Sequence, residues 1–521
     1  MNAWHPAIEV VKRCLRAGVC EFVVCAGARN AALIEALAQA ESAGHVRIWR
    51  HFEERSAGFF ALGRTMETGH PCAVVTTSGT AVAELLPAMI EAHYQARPLV
   101  ALTADRPAAF RGTGAPQAIR QPGIFGGYAF QGDLAEWDGK GPVHLNAEFD
   151  ETFEPGDEDF PQESVGTYAP AKDRLDVAAL ARWLREDLYQ GIVIMIGGLE
   201  PHEQEDVFHF CKDFGAPVVA EAASGLREAL QGLAIHDADR VLKAHPPGKI
   251  LRMGDVPSCR FWRDLESLAE VSVWSICRNG LPGMARESMV IRGPLNRVIP
   301  ALGDVDPAGD ALDLLVGASG RAARIEELLE CYPDSEAALI RTLSHYASLG
   351  GGVFLGNSLP IREWNLFAQW TRPVPAVRAN RGANGIDGQI STWLGWTADV
   401  SETWAVLGDL TALYDLAAPF VLDQINREGR VLAVINNSGG KIFERLPQLQ
   451  AMSPRAAECM TNPHTAELSG FAKLWNIGHL RVRTADDFDR FEPGGQPILL
   501  EIIPDAGQTK GFWADWARMA K

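Results

Sequence analysis

Short apolar, β-branched runs alternate with segments of helical period along most of the chain. In the first 150 residues, "EFVVCAG", "VRIWRHF", "PCAVVTTS" and "RPLVALTA" are strand-like, whereas "NAALIEALAQAES" and "GTAVAELLPAMIEAHYQA" are helix-like. This alternation predicts βαβ units and a parallel sheet covered on both faces. The stretch "MNAWHPAIEVVKRCL" reads as an amphipathic helix. A second pattern holds "GIVIMIGG", "APVVAEA", "GKILRMG" and "VSVWSIC"; a third begins near residue 336 and holds "GGGVFLGN", "TWAVLGD", "RVLAVINN" and "PILLEII". The expected fold class is therefore α/β, with three consecutive α/β domains over 1–165, 175–335 and 336–521 and mainly parallel sheets. Between the first two, "EFDETFEPGDEDFPQESVGTYAPAKD" is rich in acids, Pro and Gly and is expected to be an exposed linker.

Composition narrows the setting. A chain of 521 residues is too long for one core, and its 47% hydrophobic and 22% charged content is that of an ordinary globular protein. A net charge of −18 disfavours non-specific binding to nucleic acid or anionic membrane, yet leaves room for a local basic pocket. Nine scattered cysteines without a CxxC pair argue against a zinc site or disulfide framework and for a reducing compartment. The first residues lack the apolar core of a signal peptide, and no apolar run reaches membrane-spanning length. A cytoplasmic protein is expected, with no nucleic-acid partner and no integral membrane association.

The segment "LGDLTALYDLAAPFVLDQINREGRVLAVINNSGGKIF" carries the clearest chemistry. One strand ends at Gly408-Asp409 and the next at Asn436-Asn437, followed by Gly439-Gly440. The connection is long enough for a helical crossover, so both ends can share the carboxyl edge of one sheet, where α/β proteins bind ligands. A carboxylate, an amide oxygen and a backbone carbonyl are hard ligands that suit Mg²⁺. Glycines after the strands let the backbone approach a diphosphate. Read alone, the same residues also suit two ordinary turns.

This Gly-Asp, followed after nearly thirty residues by Asn-Asn, resembles the metal-diphosphate motif of thiamine-diphosphate enzymes. Further stretches resemble the MenD-type branch of that family: "HFEERSAGFFALG", "TTSGTAVAELLPAMIEAHY", "LTADRP", "RGTGAPQAIRQPGIF", "GPVHLN", "GNSLPIREW", "NRGANGIDGQISTWLG" and "NNSGGKIF". They cover both ends of the chain and leave the middle third weakly matched. The resemblance implies a pyrimidine-binding domain first, a central α/β domain, and a diphosphate- and Mg²⁺-binding domain last. It implies a transferase that decarboxylates 2-oxoglutarate and adds the four-carbon acyl anion to isochorismate in menaquinone biosynthesis. The implied cofactors are thiamine diphosphate and Mg²⁺, with Mn²⁺ as an alternative. At least a homodimer follows, or a homotetramer, because family members hold each cofactor between two subunits.

Residue by residue, the resemblance implies Asp409, Asn437 and the Gly439 carbonyl as metal ligands. Glu54 matches the glutamate that hydrogen-bonds N1′ of the cofactor pyrimidine; such a carboxyl needs shielding and a raised pKa. Glu53, its neighbour in "HFEER", keeps the role of an acid at a helix start. Arg29, Arg106, Arg362 and Arg381 match substrate-pocket positions, with Gln117 and Ser358 as polar partners. Arg260 in "SCRFW" is a weaker match of the same kind. Guanidinium forks suit substrates that each carry two carboxylates. Gly408, Ile386, Ile442 and Phe443 match positions at the cofactor, although Ile386 and Phe443 also suit an ordinary core. Ser78, Gly79 and Thr80 match the pyrimidine end, or else cap a helix.

The chain departs from the family pattern in places. Gly-Asp-Leu stands for Gly-Asp-Gly, Glu53 for Asp, Asn384 for Ser, and Gly27-Ala28-Arg29-Asn30 for Gly-Ser-Arg-Ser. Losing one hydroxyl removes a hydrogen bond worth about 0.5–1.5 kcal/mol. Two rival readings remain open: another thiamine-diphosphate-dependent 2-oxoacid decarboxylase or carboligase, and a non-catalytic cofactor-binding protein. A nicotinamide dehydrogenase is weaker, since no GxGxxG opens a helix after a strand.

Overall fold

The computed structural model describes residues 3–150, 152–158, 160, 176–186, 191–308, 314–445, 451–492 and 494–519. Strands β1 (Glu21–Cys25), β2 (Arg47–His51), β3 (Cys72–Thr76), β4 (Leu99–Asp105) and β5 (Val143–Glu148) form one sheet in the order β2-β1-β3-β4-β5. Strands β6 (Ile192–Ile196), β7 (Val218–Ala220), β8 (Lys249–Met253), β9 (Ser272–Cys277) and β10 (Met289–Arg292) form a second, ordered β10-β9-β8-β6-β7. The third holds β11 (Gly352–Leu355), β12 (Val377–Arg378), β13 (Thr403–Gly408), β14 (Val431–Ile435), β15 (Gly478–Val482) and β16 (Ile498–Ile502), ordered β12-β11-β13-β14-β16-β15. Every pairing is parallel. The fold is thus α/β with three parallel sheets.

The apolar pattern marks the inner strands and misses β5, β10, β12 and β15. All four lie at sheet edges. β10 and β15 are largely half-exposed, so they lack the continuous apolar run that burial on both faces imposes. The single helix expected over "GTAVAELLPAMIEAHYQA" is two, Thr80–Glu84 and Leu86–Gln95, divided at Leu85 just before Pro87. Proline has no N–H to continue the helical ladder. The expected linker also differs from expectation over its first half. Phe149 and Phe160 are buried in the same core cluster as Trp4, Ile8 and Val11 of the amphipathic helix Trp4–Arg16. Lys12 reaches Glu158 at 2.6 Å. Residues 161–173 of that stretch lie outside the described residues.

The chain forms two compact units: Met1–Lys172 with Gly382–Val400 and Thr411–Arg427, and Asp173–Arg381 with Ser401–Leu410 and Glu428–Lys521. In the first, the helix Glu54–Thr68 packs on the helix Gln389–Trp396 through two glycines. A Cβ on Gly63 would meet Thr392 O at 2.2 Å, and one on Gly395 would meet Phe60 O at 2.0 Å. Arg64 closes the same contact, donating to Gly395 O (3.2 Å) and pairing with Glu21 at 2.7 Å. Among the described residues no helix is long and apolar enough to cross a membrane. All nine cysteines are free thiols.

Overpacking predicts the cost of filling that crossing. Gly63→Ala and Gly395→Ala should each lose about 1–3 kcal/mol or more, read from urea unfolding midpoints. Gly127→Ala, where the added carbon meets nothing within 4 Å, should stay within about 0.5 kcal/mol of the parent.

Candidate active site

In the first unit the strand ends carry the polar residues. β2 ends at His51, and the next helix begins at Glu54 with Glu53 as its cap. The Glu53 carboxylate accepts from the N–H groups of Arg55 and Ser56, both at 3.0 Å, and from Ser56 Oγ. Glu53 is therefore consumed by the helix start. Glu54 is half-buried, and among the described residues no hydrogen bond ties its carboxyl to another side chain. Burial pushes its pKa up, helped by the charges of Glu53 and Glu84 and opposed by its own backbone N–H. Ser56 Oγ also lies 3.0 Å from Asp415 Oδ1, which accepts Ser391 Oγ (2.9 Å). This buried carboxylate anchors the turn that presents Glu54.

Beyond β3, Gly79 caps the helix Thr80–Glu84 at φ +93°. Ser78 makes no capping bond, and Thr80 is exposed. The hydroxyls of Thr76, Thr77 and Ser78 are buried without a hydrogen-bond partner among the described residues. Gln117 is exposed at φ +56°, with its Cα 3.2 Å from where a Gly79 Cβ would sit. Gly79 N–H donates to Gln121 Oε1 (2.9 Å). Arg29, after β1, is buried and donates to Phe149 O at 3.0 Å. Arg106, after β4, lies 5.3 Å over the Phe110 ring. Ile386 is half-buried in the loop before the helix Gln389–Trp396.

In the second unit β13 and β14 lie side by side with Gly408 opposite Ile435, so Asp409 and Asn437 leave the sheet from neighbouring ends. Asp409 is buried; its Oδ1 accepts Leu410 N–H (2.6 Å) and its Oδ2 accepts Gly439 N–H (2.9 Å). Gly439 sits at φ +129°, and a Cβ there would stand 2.6 Å from Thr461 O. Only glycine fits such a turn. Asn437 Nδ2 donates to Glu336 Oε1 (3.2 Å) and Oε2 (3.0 Å). His464 accepts Ala466 N–H at Nδ1 and holds Nε2 3.2 Å from Asp409 Oδ2. Phe443 and Ile442 are half-buried just beyond. Among the described residues no group of three His, Cys, Asp or Glu could hold a metal. A cation here would rest on the mixed set of Asp409, the Asn437 amide oxygen and the Gly439 carbonyl. Those hard donors, with a glycine cradle beside them, fit a divalent metal and a diphosphate.

The same unit gathers cations. Ser358, at φ +75°, opens the helix Leu359–Phe367, and its carbonyl accepts Arg362 Nη1 at 2.6 Å. Burial and the neighbouring charge of Arg381 depress Arg362, while Glu221 and Asp239 oppose them. Arg381 is buried; it donates to Asn357 Oδ1 (2.9 Å) and keeps Nε unpartnered among the described residues. Arg362, Arg260, Arg263, Arg445 and Ile442 line a cavity of about 360 Å³. Arg260 reaches it from the surface, paired with Asp264 at 2.8 Å.

Residues 7–124 match the family model described as "Thiamine pyrophosphate enzyme, N-terminal TPP binding domain". Three curated relatives share the name 2-succinyl-5-enolpyruvyl-6-hydroxy-3-cyclohexene-1-carboxylate synthase. The protein of Akkermansia muciniphila is 47% identical over 96% of this chain and 96% of its own. That of Bdellovibrio bacteriovorus is 36% identical over 99% of both, and that of Chloroflexus aurantiacus 32% over 88% and 86%. The chain belongs to this synthase family. It is a thiamine-diphosphate-dependent enzyme of the transferase type that works with a divalent metal.

Two departures from the family pattern have local causes. Asn30 is fully buried and bridges its own turn: Oδ1 accepts Gly27 N–H and Nδ2 donates to Cys25 O, both at 2.9 Å. Asn384 sits at φ +62°, a conformation asparagine tolerates better than serine. Sequence reasoning missed Glu336, His464, Asp415 and Glu221, because each meets its site from a distant segment.

His51 gives the site a pH signature. Burial lowers its pKa to about 4 from 6.5, and neutral Nδ1 accepts Glu53 N–H at 3.0 Å. Between these two values the unfolded chain binds more protons than the folded one, so stability falls as pH drops through the window. His51→Asn, which keeps an acceptor but does not titrate, should flatten that fall in urea midpoints measured from pH 7 to 4.

Proposed function

We propose that the enzyme decarboxylates 2-oxoglutarate and adds the remaining four-carbon acyl unit to isochorismate. The product is 2-succinyl-5-enolpyruvyl-6-hydroxy-3-cyclohexene-1-carboxylate, in menaquinone biosynthesis. The observation that carries this reading is the pairing of two guanidiniums, half-buried Arg362 and buried Arg381, near enough for the charge of Arg381 to depress Arg362, with Arg381 Nε unpartnered among the described residues. The single carboxyl of Glu221 stands against both guanidiniums, which leaves positive charge for a bound anion, and each substrate brings two carboxylates. A carboligase for a small apolar acceptor has no use for them.

Thiamine diphosphate, when bound, supplies the electron sink for carbanion chemistry. Asp409, Asn437 and the Gly439 carbonyl would hold Mg²⁺, or Mn²⁺ in its place, which would neutralise the charge of the diphosphate. Glu54, its pKa raised by burial, would share a proton between its carboxyl and N1′ of the pyrimidine. The hydroxyl of Ser78, unpartnered among the described residues, and the bare backbone of Gly79 support a place at the pyrimidine end. Arg362, Arg381, Ser358 and Arg260, and likewise Arg29, Arg106 and Gln117, would orient substrate carboxylates. Gly408, Ile386, Ile442 and Phe443 shape the cofactor's surroundings. The enzyme acts in the cytoplasm as a homodimer or homotetramer.

Supplied with both substrates, thiamine diphosphate and Mg²⁺, the enzyme should form the coupled product, followed by mass spectrometry. Carbon dioxide release indifferent to isochorismate, with no coupled product, would overturn the assignment. Glu54→Gln should lose about 10²–10⁴-fold in turnover while staying folded. Mixing Glu54→Gln with Asp409→Ala subunits should restore part of the activity, and no rescue after verified subunit exchange counts against a shared assembly.

A further inference from the structure

An asparagine offers a cation either its oxygen or its nitrogen, and a half-turn of the amide exchanges them. Only the oxygen binds metal. Both oxygens of Glu336 lie within hydrogen-bond reach of Asn437 Nδ2, at 3.2 and 3.0 Å. Flipping the amide would forfeit both contacts and set its oxygen against the Glu336 oxygens that now accept. We propose that Glu336 is a positioning residue that locks the Asn437 amide with Oδ1 turned toward the divalent metal. The proposal rests on Asn437 being a metal ligand.

Glu336 is itself held rigidly. It is the first residue of the helix Glu336–Ala347, capped by Ser335, and its N–H donates to Thr509 Oγ1 at 3.1 Å. It is only 2% exposed. An acid that merely answers a helix dipole has no need of burial. Behind it stands Glu363, fully buried, ion-paired with Arg445 and hydrogen-bonded to the Glu336 carboxyl. The Arg445 guanidinium lies 3.7 Å over the Trp513 ring and lines the arginine cavity. A continuous polar chain therefore runs from the cavity through Arg445, Glu363 and Glu336 to Asn437. Outer partners of this kind fix ligand orientation at metal sites.

The test reads binding rather than turnover. Mg²⁺ is titrated calorimetrically into apo-enzyme with saturating thiamine diphosphate, and thermal unfolding of each apo-variant checks its fold. Glu336→Ala should weaken Mg²⁺ binding about 10–100-fold, the usual cost of losing an outer partner. Glu336→Gln, which keeps an acceptor oxygen for Asn437, should stay close to the parent. Asn437→Asp should bind poorly because two carboxylates then face each other, and adding Glu336→Gln should recover binding. A folded Glu336→Ala enzyme with parental affinity overturns the positioning role, as does Asn437→Asp binding that Glu336→Gln fails to improve. If the parent binds no Mg²⁺ with thiamine diphosphate, the metal-site reading itself falls.

Discussion

Parallel pairing sends the carboxyl end of every strand to the same edge of its sheet, and the chemistry of this protein depends on that constraint. In the first unit Arg29, Glu54, Ser78 and Arg106 follow β1, β2, β3 and β4. In the second, Glu221, Ser258, Ser358, Arg381, Asp409 and Asn437 follow β7, β8, β11, β12, β13 and β14. Strands ending in register, as β13 and β14 do, place residues far apart in sequence a strand spacing apart. The turns there carry the unusual backbone: Gly79, Ser358 and Gly439 all have positive φ.

Concentrating charge at a buried edge is costly, and each cluster shows its own compensation. Glu53 is satisfied by two backbone N–H groups and a serine, which leaves Glu54 as the carboxyl without such support. Arg362 and Arg381 are opposed by Glu221, whose carboxylate accepts Ser258 Oγ at 2.6 Å. The middle sheet is treated differently. Glu200, beyond β6, pairs with Arg278 at 2.6 Å and Arg378 at 3.4 Å. At the end of β6 that edge carries an ion triad.

The features legible in the sequence were those imposed by burial on two faces or by a short motif. The inner strands showed as apolar runs, and the edge strands β5, β10, β12 and β15 did not. Local motifs separated Glu53 from Glu54, and the structure gives a local reason: one acid caps the helix whose first turn carries the other. The division of a helix at Pro87 was equally local, yet the apolar period ran across it and hid the break.

By itself the sequence determined the α/β alternation, the strand-end motifs of Asp409 and Asn437, and the arginines within their family stretches. These depend on neighbours within a few residues, or on patterns that any folded copy must repeat. Only the tertiary structure decided which distant side chains complete each site. Glu336 lies 101 residues before Asn437, and Asp415 lies 359 residues after Ser56. No period or spacing encodes such pairs, because the order of strands in a sheet, and not the order of residues in the chain, brings them together.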